Sequence, residues 1–276
     1  MKKPLEMRLA LSAAVLAATS GHAVAAQAAS DYRLFVACPV YRDTDSGRKS
    51  GCWLAQSPDD GMQYDVTLAP AKPDYAHAAL IEGRVAAGQE TGQAGQDNPC
   101  GGIVLAPVSV SILEAPCPRY MIPAEGYPGR RFALPVTNVP PLDMDRPLDK
   151  GPFAKRSFPL FFEFDSSFIS YQFTDYYLDK LAHWLRSAHP RRIVVTGYGA
   201  TRPVTVSGKA MAERPNVARE RAETVAQSLR MLGFDAKTIS TRVGRDKGRD
   251  RGPIEDDTIP GLSEYSRRRV EVTAEF

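Results

Sequence analysis

The chain has 276 residues, of which 43% are hydrophobic and 24% are charged, and its formal net charge is +3. This length accommodates two small domains. The composition is typical of a globular protein and excludes a largely disordered one. A net charge this small gives no reason to expect a nucleic-acid partner.

The first residues have the three parts of a secretory signal peptide. Basic residues open the chain, residues 9–18 are apolar, and residues 23–28 are mostly small and offer two cleavage sites. The apolar run is shorter than the roughly 20 residues that span a bilayer. We therefore expect residues 1–28 to be removed and the mature chain to have no transmembrane segment. The alternative is that this segment stays as an N-terminal anchor.

The cysteines all lie in the first half of the mature chain, and they are Cys38, Cys52, Cys100 and Cys117. An even number of cysteines in an exported protein favours disulfides. Because there is no C-x-x-C spacing and no nearby histidine, we predict no metal site. Three pairings are possible. We prefer Cys38–Cys52 with Cys100–Cys117, because each pair flanks a segment that contains turn residues or proline.

Residues 31–118 have the pattern of a small all-β domain. Candidate strands, rich in β-branched and aromatic residues and separated by turn sequences, are residues 34–41, 52–56, 63–68, 79–85 and 103–113. We predict a disulfide-bearing, OB-like five-stranded barrel, because a partly closed barrel leaves few strand edges exposed. Trp53 and Tyr64 either form a stacking platform for a ligand or, more commonly for such residues, fill the barrel core.

Residues 119–157 are rich in proline, which favours extended backbone, so we predict a semi-rigid linker. Residues 158–276 then alternate strand and helix patterns. Apolar residues at helical spacing predict one helix from Thr174 and a second that begins near Pro215. Strands are predicted at residues 159–168, 192–199, 238–245 and 269–276. The order βαβαββ predicts an α+β domain whose helices pack on one face of a mixed sheet.

Short motifs mark these elements in a recognisable order. The first strand carries Phe162-Glu163-Phe164-Asp165, and the second strand ends in the turn Gly197-Tyr198-Gly199-Ala200. Arg221-Ala222 lies near the start of the second helix, and Arg268-Arg269-Val270-Glu271 opens the last strand. In this order and spacing, residues 158–276 resemble the OmpA-like domain shared by outer-membrane porins, peptidoglycan-associated lipoproteins and flagellar stator subunits.

The resemblance implies both a ligand and the groups that hold it. In OmpA-like domains, an Asp in the turn after the second strand and the Arg of the R-A motif hold the amine and carboxylate groups of peptidoglycan diaminopimelate. Arg221 matches that Arg, but Ala200 stands where the family places its Asp. Losing one charge-assisted contact is expected to weaken such binding by about 1.5–3 kcal/mol. The hydroxyls of Tyr198 and Thr201 are candidate replacements for the lost carboxylate.

Cations surround the expected position of Arg221. Arg267 replaces the family's usual Asn before the double arginine, and the segment between Ala200 and Arg221 is longer than usual. We therefore predict a basic pocket suited to a carboxylate or a phosphate. Its candidate ligand-binding residues are Arg221, Arg267, Arg268, Thr201, Gly199 and Tyr198, with Arg202, Lys209 and Arg214 as further cations.

No pattern of residues indicates catalysis. The histidines lack a nucleophile or carboxylate constellation, and the cysteines are expected to be oxidised. We predict a non-catalytic periplasmic protein without a cofactor, peripherally associated with the outer membrane or cell wall. It is expected to contact peptidoglycan or another anionic envelope ligand through the basic pocket. Two alternatives stay open: a protein-interaction scaffold whose OmpA-like domain has lost peptidoglycan binding, or ligand binding by the OB-like domain.

Overall fold

The computed structural model describes residues 31–42, 51–88, 92, 101–119, 121–122, 146–169, 174–246, 248 and 262–276. Residues Tyr32–Phe276 form one compact unit. Within it we distinguish an N-terminal β region, residues 32–122, and a C-terminal region, residues 146–276. The predicted signal peptide and most of the predicted linker lie outside the described residues.

The N-terminal β region is built from one continuous ladder of strands. Its strands are β1 (Tyr32–Ala37), β2 (Val40–Arg42), β3 (Cys52–Gln56), β4 (Gln63–Asp65), β5 (His77–Val85), β6 (Ile103–Pro116) and β7 (Met121–Ile122). They are ordered β1-β5-β6-β4-β3-β2-β7. From β1 to β2 the pairs are antiparallel, except that β4 and β6 are parallel. Only Cys38 and Pro39 separate β1 from β2 in the chain. The first strand of the ladder and its sixth strand are therefore consecutive in sequence.

Aromatic and aliphatic side chains fill the core of this region. Tyr64 is fully buried and Trp53 is 9% exposed, and both pack in one cluster with Phe35 and Ile81. The Tyr64 hydroxyl donates a hydrogen bond of 2.6 Å to Asp60, which satisfies its polar end. Trp53 and Tyr64 therefore fill the core, which was the alternative to a stacking platform for a ligand.

The predicted disulfide pairing is wrong. Cys38 is bonded to Cys117, with a Cα–Cα distance of 5.7 Å, and this excludes both Cys38–Cys52 and Cys100–Cys117. The register explains the pair, because β1 and β6 both pair with β5 and so the end of β1 lies beside the end of β6. The predicted pairs were chosen because they are close in sequence, whereas the observed pair is 79 residues apart. Cys52 is also disulfide-bonded, and Cys100 lies outside the described residues.

The C-terminal region has the predicted βαβαββ order, with two additions. Its elements are β8 (Arg156–Phe161), α1 (Thr174–Ala188), β9 (Arg192–Gly197), β10 (Val204–Val206), β11 (Lys209–Met211), α2 (Val217–Met231), β12 (Ile239–Val243), α3 (Ser263–Arg267) and β13 (Arg269–Glu275). The sheet order is β12-β9-β13-β8, with β12 parallel to β9 and the other pairs antiparallel. The hairpin β10–β11 and the short helix α3 were not predicted. The prediction of helices with a mixed sheet is confirmed.

Helices α1 and α2 bury their apolar stripes in the core of the C-terminal region. Leu181 and Leu185 of α1 and Val225 and Leu229 of α2 are at most 1% exposed and belong to a single cluster. Helix α2 ends at Met231 and is soon followed by Gly233, whose φ of 91° is the left-handed conformation that glycine adopts without strain. Within the described part of the chain, no helix is long and apolar enough to cross a bilayer.

The two regions contact each other directly. The Val36 amide of β1 donates a hydrogen bond of 3.0 Å to the Ser207 hydroxyl of the β10–β11 hairpin. Val206 of that hairpin packs with Val36 and Leu80 in one buried cluster. The fully buried carboxylate of Glu82 accepts hydrogen bonds from the first amides of α3. The hairpin therefore packs against the N-terminal β region, which also binds the start of α3.

Candidate functional site

Arg221 lies on the buried face of α2, in its second turn. The residues of that face are Val217, Ala218, Arg221, Ala222, Val225, Ala226 and Leu229. An arginine among such residues must find hydrogen-bond acceptors, because an unpaired buried charge is costly. The Arg221 side chain is fully buried, and its guanidinium lies 5.3 Å from the centre of the Phe162 ring.

The Arg221 guanidinium makes hydrogen bonds in two sets. Three go to backbone carbonyl oxygens: those of Ser166 at 2.7 Å, Tyr198 at 3.0 Å and Glu163 at 2.9 Å. Two go to the carboxylate of Glu213, at 2.6 and 3.0 Å, in the bidentate geometry that arginine forms with carboxylates. The carbonyls fix the orientation of the guanidinium, and the carboxylate neutralises its charge.

The Glu213 carboxylate accepts hydrogen bonds from two backbone amides as well. The Ala200 amide donates to Oε2 at 2.5 Å and the Asp165 amide donates to Oε1 at 2.8 Å. Burial opposes ionisation of Glu213. The hydrogen bonds and charge of Arg221 outweigh that effect, aided by the charge of Arg268 and the Ala200 amide, and hold the pKa of Glu213 below its ordinary value. Glu213 is therefore a buried carboxylate anion with four donors.

Glycines at the end of β9 and in the turn after it allow the backbone to approach α2 this closely. A Cβ atom at Gly197 would lie 1.8 Å from the Ala218 carbonyl oxygen, so only glycine fits there. A Cβ at Gly199 would lie 2.8 Å from Val217 Cγ1 and 3.4 Å from Glu213 Oε2. The predicted site residue Gly199 therefore borders the Glu213 carboxylate and contributes by its lack of a side chain.

Arg267 is engaged elsewhere. It is 5% exposed and forms ion pairs with Asp246 at 2.7 Å and Glu264 at 2.6 Å. A further hydrogen bond of 3.0 Å goes to the Arg202 carbonyl oxygen. Two carboxylates already neutralise this side chain, so Arg267 holds the end of α3 to the segment that carries Asp246.

Arg268 is also buried, at 1% exposure, near the contact between the two regions. Its guanidinium carbon lies 5.3 Å from the centre of the Tyr265 ring. Its Nε and Nη2 atoms make no hydrogen bond with the described residues. Burial raises the pKa of Glu82, and the positive charge of Arg268 is the largest influence that opposes this rise. Arg268 thus compensates buried acids rather than facing solvent.

The predicted open basic pocket is therefore wrong. Arg221, Arg267 and Arg268 are each buried, and the first two are paired with acids of the same chain. Sequence reasoning placed the three arginines near one another but did not foresee the carboxylates that neutralise them.

The remaining predicted residues border the Arg221 site without facing a common recess. The Tyr198 backbone carbonyl binds Arg221, and its hydroxyl donates to Glu271 at 3.1 Å. Thr201 is exposed just beyond the turn. Arg214 is bound to Asp165 at 2.9 Å and to Glu220 at 3.2 Å. Asp165, the last residue of the F-x-F-D motif, thus holds the long segment that precedes α2.

The residue that the sequence reasoning missed is Glu213. It lies in the extra length between Ala200 and Arg221, and none of the motifs in the sequence gave a reason to assign it a partner. One sequence signal pointed to it: an acid close before the helix that carries a predicted buried arginine. That signal is common, so only the fold identifies the pair.

No family model and no curated protein matches this chain. Among solved structures, it is similar to the OmpA-like domain of FopA1 from Francisella tularensis subsp. tularensis SCHU S4, with 18% identity over 44% of this chain and 71% of that one, at a TM-score of 0.31. It is similar to the peptidoglycan-associated lipoprotein from Burkholderia pseudomallei, with 21% identity over 42% and 88% of the two chains and a TM-score of 0.30. It is also similar to the cell wall anchor of the T6SS from Pseudomonas aeruginosa, with 21% identity over 44% and 81% and a TM-score of 0.32. TM-scores this low do not establish a shared fold by themselves.

Proposed function

We propose that the C-terminal region is a divergent OmpA-like domain of a non-catalytic, periplasmic cell-envelope protein, and that it recognises a carboxylate of an envelope ligand. Peptidoglycan, whose peptide stems carry carboxylates, is the ligand that the sequence resemblance implies. Two features support the proposal: the order of the F-x-F-D, R-A and R-R-V-E motifs, and the arrangement of helices on a mixed sheet.

The geometry around Arg221 is the observation that carries this proposal. A bidentate guanidinium and the amides of Ala200 and Asp165 converge on a single carboxylate. Such an arrangement selects a planar anion over a neutral group. Because Ala200 supplies an amide and no side-chain carboxylate, the site offers nothing there for an ammonium group. We therefore expect recognition of the carboxylate alone.

We infer that the N-terminal β region is an OB-like barrel. Its ladder returns to its starting strand and contains a single parallel pair, β4–β6, before that return. This arrangement supports a closed five-stranded unit in which β1 and β2 act as one bent strand. Its contact with the hairpin suggests that it supports the C-terminal region.

The second candidate function is a protein-interaction scaffold that has lost wall binding. The occupation of the Arg221 site by Glu213 favours it, because a site filled from within binds nothing else while it stays filled. The two candidates differ in whether the protein binds isolated cell walls.

Co-sedimentation of the protein, after removal of its signal peptide, with isolated sacculi tests the proposal. Wild type should sediment with sacculi, and Arg221→Lys should bind about tenfold to a hundredfold more weakly, since lysine keeps the charge but loses the bidentate fork. The matched control is Arg219→Lys, because Arg219 is exposed on the same helix. Circular dichroism establishes that each variant is folded. Folded wild type that does not sediment contradicts wall binding and supports the scaffold.

A further inference from the structure

Glu213 and the groups that hold it come from different parts of the C-terminal region. Residues 201–216, which we call the strap, join the turn after β9 to α2 and include the hairpin β10–β11. The hairpin turns at Ser207 and Gly208, both with positive φ, as two-residue hairpin turns require. Glu213 lies in the strap. Arg221, Asp165 and Ala200 lie outside it.

The Arg221 guanidinium is held in place by groups other than the Glu213 carboxylate. Three of the Arg221 hydrogen bonds go to the carbonyls of Glu163, Ser166 and Tyr198. The guanidinium is therefore oriented by the backbone of the turn after β9 and of the segment after β8. The Ala200 and Asp165 amides belong to those same two stretches. Removing the carboxylate would leave four donors that still point at one place.

We propose that Glu213 is a tethered occupant of a carboxylate-binding site, and that movement of the strap lets the carboxylate of a partner take its place. The ligand class is a carboxylate at the end of a short flexible stem, such as an amino-acid side chain or a peptide terminus. The inference rests on the proposed function only for the identity of that partner. Whether Glu213 fills the site, and whether its removal leaves the site empty, can be tested independently of the proposed function.

Apart from the buried Glu213–Arg221 pair, the strap is held by exposed contacts and by its hairpin tip. The Arg214–Asp165 ion pair has side chains that are 53% and 31% exposed, and exposed pairs contribute little. The hairpin tip is held to the N-terminal β region through the Ser207 hydroxyl, which accepts from Val36 and donates to Asp59 at 3.0 Å. Apolar packing of Val206 adds to this hold. The N-terminal β region therefore stabilises the filled state.

Chemical rescue of Glu213→Ala is the direct test. The substitution removes a CH2–COO⁻ group, which acetate matches atom for atom. We expect the variant to melt below wild type. Acetate at about ten times its dissociation constant should then raise its melting temperature by about 2–5 °C relative to chloride at equal ionic strength. Wild type should show no such selective rise, because its site is filled.

Two control variants separate site filling from general salt effects. Glu213→Gln keeps the volume of the side chain, so acetate should not raise its melting temperature. Glu220→Ala removes a carboxylate that pairs with Arg214 at the surface, and acetate should not rescue it either. If Glu213→Ala does not fold in chloride, refolding in acetate is the measurement, and recovery only in acetate supports the proposal. If Glu213→Ala has the same melting temperature in acetate and in chloride, or refolds in neither salt, the proposal is overturned.

Sacculus binding by the same variants separates this inference from the proposed function. An occupant that fills the site nine times in ten lowers the apparent affinity about tenfold, so Glu213→Ala should bind sacculi at least about tenfold more tightly than wild type. Acetate rescue without any sacculus binding supports the tethered occupant and contradicts the wall as its partner. Sacculus binding that is equal in both proteins, with no acetate rescue, overturns the tethered occupant and leaves the proposed function standing.

Discussion

Replacing Arg221 by methionine should strongly destabilise the protein. Methionine keeps much of the length and apolar contact of the arginine but leaves the buried Glu213 carboxylate without its cation. The carbonyls of Ser166, Tyr198 and Glu163 each lose a donor as well. Breaking a buried ion pair by removing one partner costs about 3–5 kcal/mol. We expect the free energy of unfolding to fall by that amount at neutral pH.

Urea unfolding followed by circular dichroism measures this loss. The control Arg219→Met alters an exposed arginine of the same helix and should change the free energy by no more than about 0.5 kcal/mol. The double variant Arg221→Met with Glu213→Met should recover only part of the loss. It leaves no unpaired buried charge, but the three carbonyls and the two amides that bound the pair lose their partners. A loss below about 1 kcal/mol in Arg221→Met would refute the reasoning.

The pH dependence of the same variant follows from the lowered pKa of Glu213. A carboxyl group with a depressed folded-state pKa stabilises the protein above its ordinary value of 4.5, and that contribution is lost as the pH falls through the lowered value. The difference in stability between wild type and Arg221→Met should therefore narrow in acid. A difference that stays constant from neutral pH to strongly acidic pH contradicts an ionised Glu213.

Three further predictions concern other parts of the fold. Gly197→Ala should destabilise by about 1–3 kcal/mol or more in urea unfolding, because its Cβ would meet the Ala218 carbonyl at 1.8 Å, and a neutral effect would contradict the close approach of β9 to α2. Cys38→Ser with Cys117→Ser should cost about 2–5 kcal/mol, since their bond closes a sequence separation of 79, and peptide mapping without reduction should find these two cysteines linked. Burial raises the pKa of Glu82, opposed by Arg268, by the Tyr32 hydroxyl and by two amides of α3. Its contribution to stability is therefore complete below the ordinary value of 4.5 and is lost as the pH rises through the raised value. Glu82→Gln should flatten the decline in unfolding free energy between the ordinary pKa of 4.5 and the raised pKa, and an unchanged profile would count against a buried Glu82 with a raised pKa.

The sequence was informative where a local pattern decides the structure. The apolar stripes of α1 and α2 predicted both helices, because residues at helical spacing bury one face. The strand β3 was predicted at its observed bounds, since its bulky residues are bounded by turn residues. The hairpin β10–β11 was missed, because its strands are short and it is stabilised by packing against β1 rather than by its own pattern.

The site could not be predicted to the same depth. The sequence identified Arg221 and the turn around Gly199, but the partner of Arg221 depends on how the strap folds back. Arg267 was read as a free cation, yet Asp246 and Glu264 neutralise it after the chain has folded. The disulfide failed for a similar reason, because strand register and not chain proximity brings Cys38 to Cys117.

A crystal structure of Glu213→Ala grown in acetate tests the central claim most directly. The account predicts an acetate ion whose oxygens lie within hydrogen-bonding distance of the Arg221 guanidinium and the Ala200 amide, with the guanidinium still held by the three carbonyls. A structure in which Arg221 has turned to another acid, or in which the strap has collapsed into the vacated space, would contradict it.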